Sequence, residues 1–141
     1  MAYNVLIVDD SKVIRLMIGK TLRLANIALG KVFEAGDGKE ALKVLEKEWV
    51  DMVIADINMP VMTGIELVDE MATRGMLDST PVVIVSTERS VTRIQELQAK
   101  GVKAYLSKPF TPENIREVVV KILGDRKPVA VSAAPVGPTK G

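Results

Sequence analysis

Three short runs constrain this chain more than any other feature. Val5-Leu6-Ile7-Val8, Met52-Val53-Ile54-Ala55 and Val82-Val83-Ile84-Val85 are apolar at every position. Each is followed at once by a polar group: Asp9-Asp10, Asp56 and Ser86. A strand with one wet face alternates apolar and polar residues. A strand without alternation is covered on both faces, as in a parallel sheet held between two layers of helices. Lys31-Val32-Phe33-Glu34-Ala35 and Lys103-Ala104-Tyr105-Leu106 are two weaker strand candidates.

Helical spacing fills the gaps between these runs. Apolar stripes are formed by Ile14, Met17, Ile18, Leu22 and Ala25, by Ala41, Leu42, Leu45 and Trp49, by Ile65, Val68 and Met71, and by Ile115, Val118, Val119 and Ile122. Val91, Ile94 and Leu97 make a looser stripe. Asp10 or Ser11, Asp37, Thr63, Ser90 and Thr111 can cap these helices, and Pro112 suits a first helical position. Gly30, Gly75, Gly101 and Gly124 are the stop signals. Strand and helix therefore alternate five times. This predicts an α/β three-layer sandwich whose five-stranded parallel sheet has the flavodoxin-like order 2-1-3-4-5, with five helices. Residues 1–124 carry this pattern. Residues 125–141 hold Pro128, Pro135 and Pro138, many small residues and no helical period, and read as a disordered Pro/Ala-rich tail.

Composition narrows the chemistry. The chain has no cysteine and no histidine, which excludes thiolate metal sites, cysteine nucleophiles, histidine bases and histidine ligands. Lys plus Arg is 19 against 18 for Asp plus Glu, so no strong field points to nucleic acid or an anionic membrane. No apolar run approaches the roughly 18 residues of a membrane span. No basic segment precedes Val5, so no signal peptide is read and the cytoplasm is the expected compartment. Carboxylates, hydroxyls, lysines and hard metal ions remain.

In open parallel sheets, ligands bind at the carboxyl ends of the strands. Those ends carry Asp9-Asp10, Asp56, Ser86-Thr87 and Ser107-Lys108-Pro109. Singly, each has a plain explanation: a helix cap, a loop residue, a strand-end hydroxyl, a solvated lysine. Together they converge on one edge, where neighbouring carboxylates repel unless a cation joins them. Oxygen ligands without His or Cys select Mg²⁺ or Ca²⁺, and so few carboxylates suit Mg²⁺ rather than a calcium cage. An aspartate beside Mg²⁺ can attack phosphorus, with a lysine and a hydroxyl to neutralise phosphoryl oxygens. The residues alone thus suggest Mg²⁺-dependent phosphoryl transfer onto a carboxylate. Competing motifs are missing: there is no G-x-x-x-x-G-K-[ST], no G-x-G-x-x-G, and no D-x-D at Asp9-Asp10-Ser11.

V-L-I-V-D-D from Val5, D-I-N-M-P-V-M-T-G from Asp56 and A-Y-L-S-K-P-F from Ala104 are the most specific segments. Over residues 3–124 the chain resembles the receiver domain of two-component response regulators. The resemblance implies that Asp56 accepts a phosphoryl group from a sensor histidine kinase. It implies Mg²⁺ bound by Asp9, Asp10, Asp56 and the backbone carbonyl of Asn58. Lys108 would hold the phosphate next to a cis Lys108-Pro109 bond, Ser86 and Tyr105 would switch with it, and Asn58 and Glu88 would tune hydrolysis. Ser86 and Thr87 depart from the family's commoner threonine and alanine. The family resemblance further implies a stand-alone, monomeric signalling receiver with self-catalysed phosphorylation and dephosphorylation, of the chemotaxis type. Its output partner, such as the flagellar motor switch, would bind the fourth helix, fifth strand and fifth helix, where Arg89, Arg93, Lys100, Lys103 and Tyr105 lie. A phosphorelay intermediate is the alternative within the family. A Mg²⁺-dependent phosphatase is the alternative outside it, disfavoured because no cap insertion interrupts the strands.

Overall fold

Strands apolar at every position need a partner layer on each side, and the computed structural model supplies both. It describes residues 2–57, 59, 61–87 and 91–124. The elements run β1 (Tyr3–Val8), α1 (Lys12–Leu24), β2 (Leu29–Ala35), α2 (Gly38–Lys47), β3 (Met52–Asp56), α3 (Gly64–Thr73), β4 (Val82–Ser86), α4 (Val91–Ala99), β5 (Ala104–Ser107) and α5 (Pro112–Leu123). All strand pairs are parallel, in the order β2-β1-β3-β4-β5. This is the predicted flavodoxin-like sandwich.

The lack of alternation now has a concrete cause. On one face Val5, Ile7, Ile54, Val83 and Val85 pack with Ile18 and Leu22 of α1 and Ile115 and Val119 of α5. On the other, Leu6, Val8, Val53, Ala55, Val82 and Ile84 pack with Ala41 and Leu42 of α2, Leu67, Val68 and Met71 of α3 and Leu97 of α4. Successive residues of one strand therefore enter two separate cores, and both are dry: Leu6, Ile7, Ile54 and Ile84 are all 0% exposed. Each such side chain contributes about 1.5–3 kcal/mol by leaving water.

Caps set the helix starts. Ser11 accepts from the Ile14 amide, Asp37 from Glu40, Thr63 from Glu66 and Thr111 from Asn114, and the last two form reciprocal capping boxes. Ser90, the fourth-helix cap candidate, lies outside the described residues. Gly75, Gly101 and Gly124 have positive φ at or just after helix ends, as stop signals should.

Three expectations are corrected. Gly30 does not stop α1: it lies inside β2, and the chain turns instead at Asn26, whose φ is 58°. Asparagine tolerates that region through its short polar side chain. Met17 is not buried: the covered stripe of α1 is centred on Ile18, Gly19 and Leu22, which leaves Met17 58% exposed at its edge. Trp49 is not part of the α2 stripe. The backbone is already extended at Glu48, so the helical register ends first, and Trp49 is 78% exposed with its indole N–H on Asp51 at 3.1 Å. No helix among the described residues is long and apolar enough to cross a membrane.

The α1 reading is checked by a pair of substitutions. Leu22 is fully buried and Leu24 is 64% exposed. Leu22→Ala is expected to destabilise the domain by about 2–5 kcal/mol in urea unfolding, and Leu24→Ala by under about 0.5 kcal/mol. Equal effects would contradict the assigned face.

Candidate functional site

Register builds the site. Val8 pairs with Ala55, so Asp9 and Asp56 emerge level from neighbouring strands. Asp56 pairs with Val85 and Ser86 with Ser107, which brings Ser86 and Lys108 to the same edge. Asp56 and Ser86 are the terminal residues of their strands, so their backbones are held by the sheet.

Asp9 is almost completely buried at 2% exposure. Its amide donates to the Ala35 carbonyl at 3.1 Å, and its Oδ1 accepts from the Ser11 amide at 2.9 Å. Asp10 is exposed. One oxygen each from Asp9, Asp10 and Asp56 lie within 4.8 Å of one another. The Lys108 ammonium is 3.4 Å from Asp9 Oδ2 and 3.7 Å from Asp56 Oδ1. The Lys108 amide donates to the Ser86 carbonyl at 2.9 Å, and the Lys108-Pro109 bond is cis. Ser86 is 1% exposed.

The loop after Asp56 is closely packed. The Gly64 amide donates to the Ile57 carbonyl at 2.8 Å. A Cβ on Gly64 would stand 2.3 Å from the Asp56 carbonyl oxygen, so a side chain there would push on the strand end carrying the carboxylate. Between them Val61 has a φ of 67°, a costly conformation for a β-branched residue.

The charges do not balance. Among the described residues, three carboxylates face one ammonium. Burial pushes the Asp56 carboxyl above its ordinary value; Lys108 pulls it down, and Asp9 and then Asp10 push it up again. A hard divalent cation fits this all-oxygen cluster, which has no nitrogen or sulfur ligand to favour zinc. Such a cluster can hold a phosphoryl donor near an aspartate nucleophile.

The sequence-predicted Asp9, Asp10, Asp56 and Lys108 are thus together, with Ser86 on the adjoining strand end. Tyr105 lies on β5, half-buried against the core under α2, α3 and α4. Asn58 and Glu88 lie outside the described residues, as does Arg89. Of the other basic residues expected on the output face, Lys100 is paired with Asp69 at 3.0 Å. Two residues at the site escaped the sequence reading: Arg15, whose guanidinium donates to the Asp9 carbonyl at 2.7 Å, and its partner Glu34. The available signal was a charged residue four positions after the Ser11 cap, on the turn that faces the loop.

A raised carboxyl group implies a pH dependence. Because the charged form of Asp56 is disfavoured by folding, Asp56→Asn is expected to stabilise the protein at neutral pH. The gain is full above the folded-state pKa, fades as pH falls from that value to the ordinary carboxylate pKa, and is gone below it, where both states of the wild type are protonated. Urea unfolding at pH 7 and pH 4 reads this; a gain that grows on acidification contradicts it.

Known proteins agree with this geometry. The family model described as response regulator receiver domain matches residues 5–120. The chemotaxis protein CheY homolog of Campylobacter jejuni is 36% identical over 122 residues, covering 86% of this chain and 92% of the relative. The two-component response regulator ORR5 of rice, Oryza sativa, is 37% identical over 123 residues, covering 86% and 90%. The solved structure of Vibrio cholerae chemotaxis protein CheY4 superposes with a TM-score of 0.77 at 39% identity, covering 87% of this chain and all of that one. A match over nearly the whole described chain, joined to a sheet of the same order, leaves one conclusion: the chain belongs to the response regulator receiver domain family.

Proposed function

We propose that this receiver accepts a phosphoryl group on Asp56 from a sensor histidine kinase, with Mg²⁺, and that the modified state switches protein binding in chemotaxis signalling. The observation that carries the reading is the placement of Asp56 beside Asp9, Asp10 and Lys108 in a chain similar to chemotaxis receivers.

An Asp56 oxygen attacks phosphorus, the new O–P bond forms, and the P–N bond to the kinase histidine breaks. The Lys108 ammonium, already between Asp9 and Asp56, meets the incoming phosphoryl oxygens. Asp9, Asp10 and Asp56, with the Asn58 carbonyl that the family resemblance adds, would hold Mg²⁺, which would supply the remaining positive charge that an anionic donor needs. Kinase access is favoured by α1, which borders the site and exposes Val13, Leu16 and Met17. Beside Lys108, an apolar groove of about 340 Å³ runs between Met17 and Phe110.

Output follows from a difference between states. A Ser86 hydroxyl bonded to a phosphoryl oxygen gains a charge-assisted bond that exists only after modification. Only such differential contacts shift a two-state equilibrium. Tyr105, one strand further out, would turn inward with it. It would thereby alter the face formed by α4, β5 and α5. Asn58 and Glu88 match the family positions that flank the group, and polar side chains at such positions would leave water free to hydrolyse it, so the signal would be brief.

Acetyl phosphate with Mg²⁺ is expected to add one phosphoryl group to the wild type, seen by mass spectrometry. Asp56→Asn and chelated protein stay unlabelled; labelling of Asp56→Asn at the wild-type rate defeats the assignment. Phosphate loss within minutes is expected, and a lifetime of hours would favour a phosphorelay intermediate. Ser86→Ala should still be labelled but no longer gain partner affinity on phosphorylation; an undiminished gain would remove Ser86 from the switch.

A further inference from the structure

Arg15 has a position that the phosphoryl chemistry does not use. It lies on α1, one turn after the Ser11 cap, and its side chain is only 16% exposed. Its Nη1 donates to the Asp9 carbonyl at 2.7 Å, and its Nε donates to Glu34 Oε1 on β2 at 2.9 Å. Its backbone amide donates to the Ser11 carbonyl at 3.0 Å. One residue thus holds both ends of the three-residue turn that carries Asp9 and Asp10.

We propose that Arg15, itself held by Glu34, is a positioning residue that sets how tightly the Asp9-Asp10-Asp56 cluster takes a divalent cation. The inference rests on the cation reading of that cluster. Asp9 is held at every other point: its amide by Ala35, its Oδ1 by the Ser11 amide, its Oδ2 next to Lys108. The carbonyl is the remaining handle, and Arg15 takes it. Asp10 has no comparable support from the sheet, because it follows the last strand residue by two positions. Fixing its neighbour's carbonyl limits the conformations from which its carboxylate must be recruited. Groups that orient metal ligands in this way commonly change affinity by about ten- to a hundredfold when removed.

Arginine suits the role better than lysine. Its planar fork serves the carbonyl and the Glu34 carboxylate at the same time, which a single ammonium does less well. Glu34 has a second effect. A bare guanidinium beside the cluster would repel a cation, and the paired carboxylate offsets that charge. The pair is partly exposed, with Glu34 at 40%, and exposed ion pairs contribute little to stability. The Glu34 half of the clamp should therefore show at the cation and not in the melting temperature.

The test is calorimetric titration of Mg²⁺ into the full chain, with thermal unfolding in chelator as the control. Arg15→Met is expected to weaken Mg²⁺ binding about tenfold or more. Arg15→Lys should fall between it and the wild type, and Glu34→Gln should weaken binding several-fold with the metal-free melting temperature unchanged. Acetyl phosphate labelling of each variant should approach the wild-type rate as Mg²⁺ is raised, which a general loss of structure would not allow. Unchanged or tighter Mg²⁺ binding by Arg15→Met and Glu34→Gln overturns the proposal. Should Arg15→Met fail to fold, Glu34→Gln decides alone, and unchanged binding by it is the overturning result. If the wild type does not bind Mg²⁺, or if Asp10→Asn leaves binding unaltered, the cation reading itself fails, and the clamp with it.

Discussion

Repulsion among Asp9, Asp10 and Asp56 is the constraint around which this domain is arranged. Parallel pairing delivers two of these carboxylates level from adjacent strands, and one ammonium stands between them. The fold tolerates the excess because the surrounding backbone is held on several sides: strand ends and a capped helix meet at the same edge. Folding builds this concentration of like charge among the described residues. That repulsion favours a cation at the edge, and an anionic group can approach Asp56 only once positive charge has joined it.

That arrangement explains which parts could be read from the residues. The strands of the sheet centre were legible because burial on both faces removes alternation, a signal that few other structures produce. The site was legible because its residues fall at predictable places, immediately after those runs. The margins were not. Gly30 looked like a helix stop because glycine signals a break, yet an edge strand also accepts it. Met17 and Trp49 fitted a helical period by number, but a period does not say where a stripe ends or a helix unwinds.

Arg15 and Glu34 show the remaining gap. Their contact joins the first helix to the edge strand β2 across 19 positions of sequence. The position of Arg15 after the Ser11 cap hints at the loop, but nothing local announces the pairing, since a charged helix residue and a charged edge-strand residue are each ordinary alone. Long-range polar contacts depend on how the layers settle, which periodicity does not encode. The upward push on Asp56 is of the same kind, because it comes from depth and from neighbours on other strands.

The division of the interior into two cores has an evolutionary consequence. The sheet backbone stands between the residues that meet α1 and α5 and those that meet α2, α3 and α4. Side chains on opposite faces do not share a packing problem, so a volume change on one side need not be compensated on the other. Each layer can drift by its own compensated steps while the strand ends stay fixed. A lineage could thus remodel one helical surface for a new binding partner and leave the opposite surface, and the acidic edge between them, as inherited.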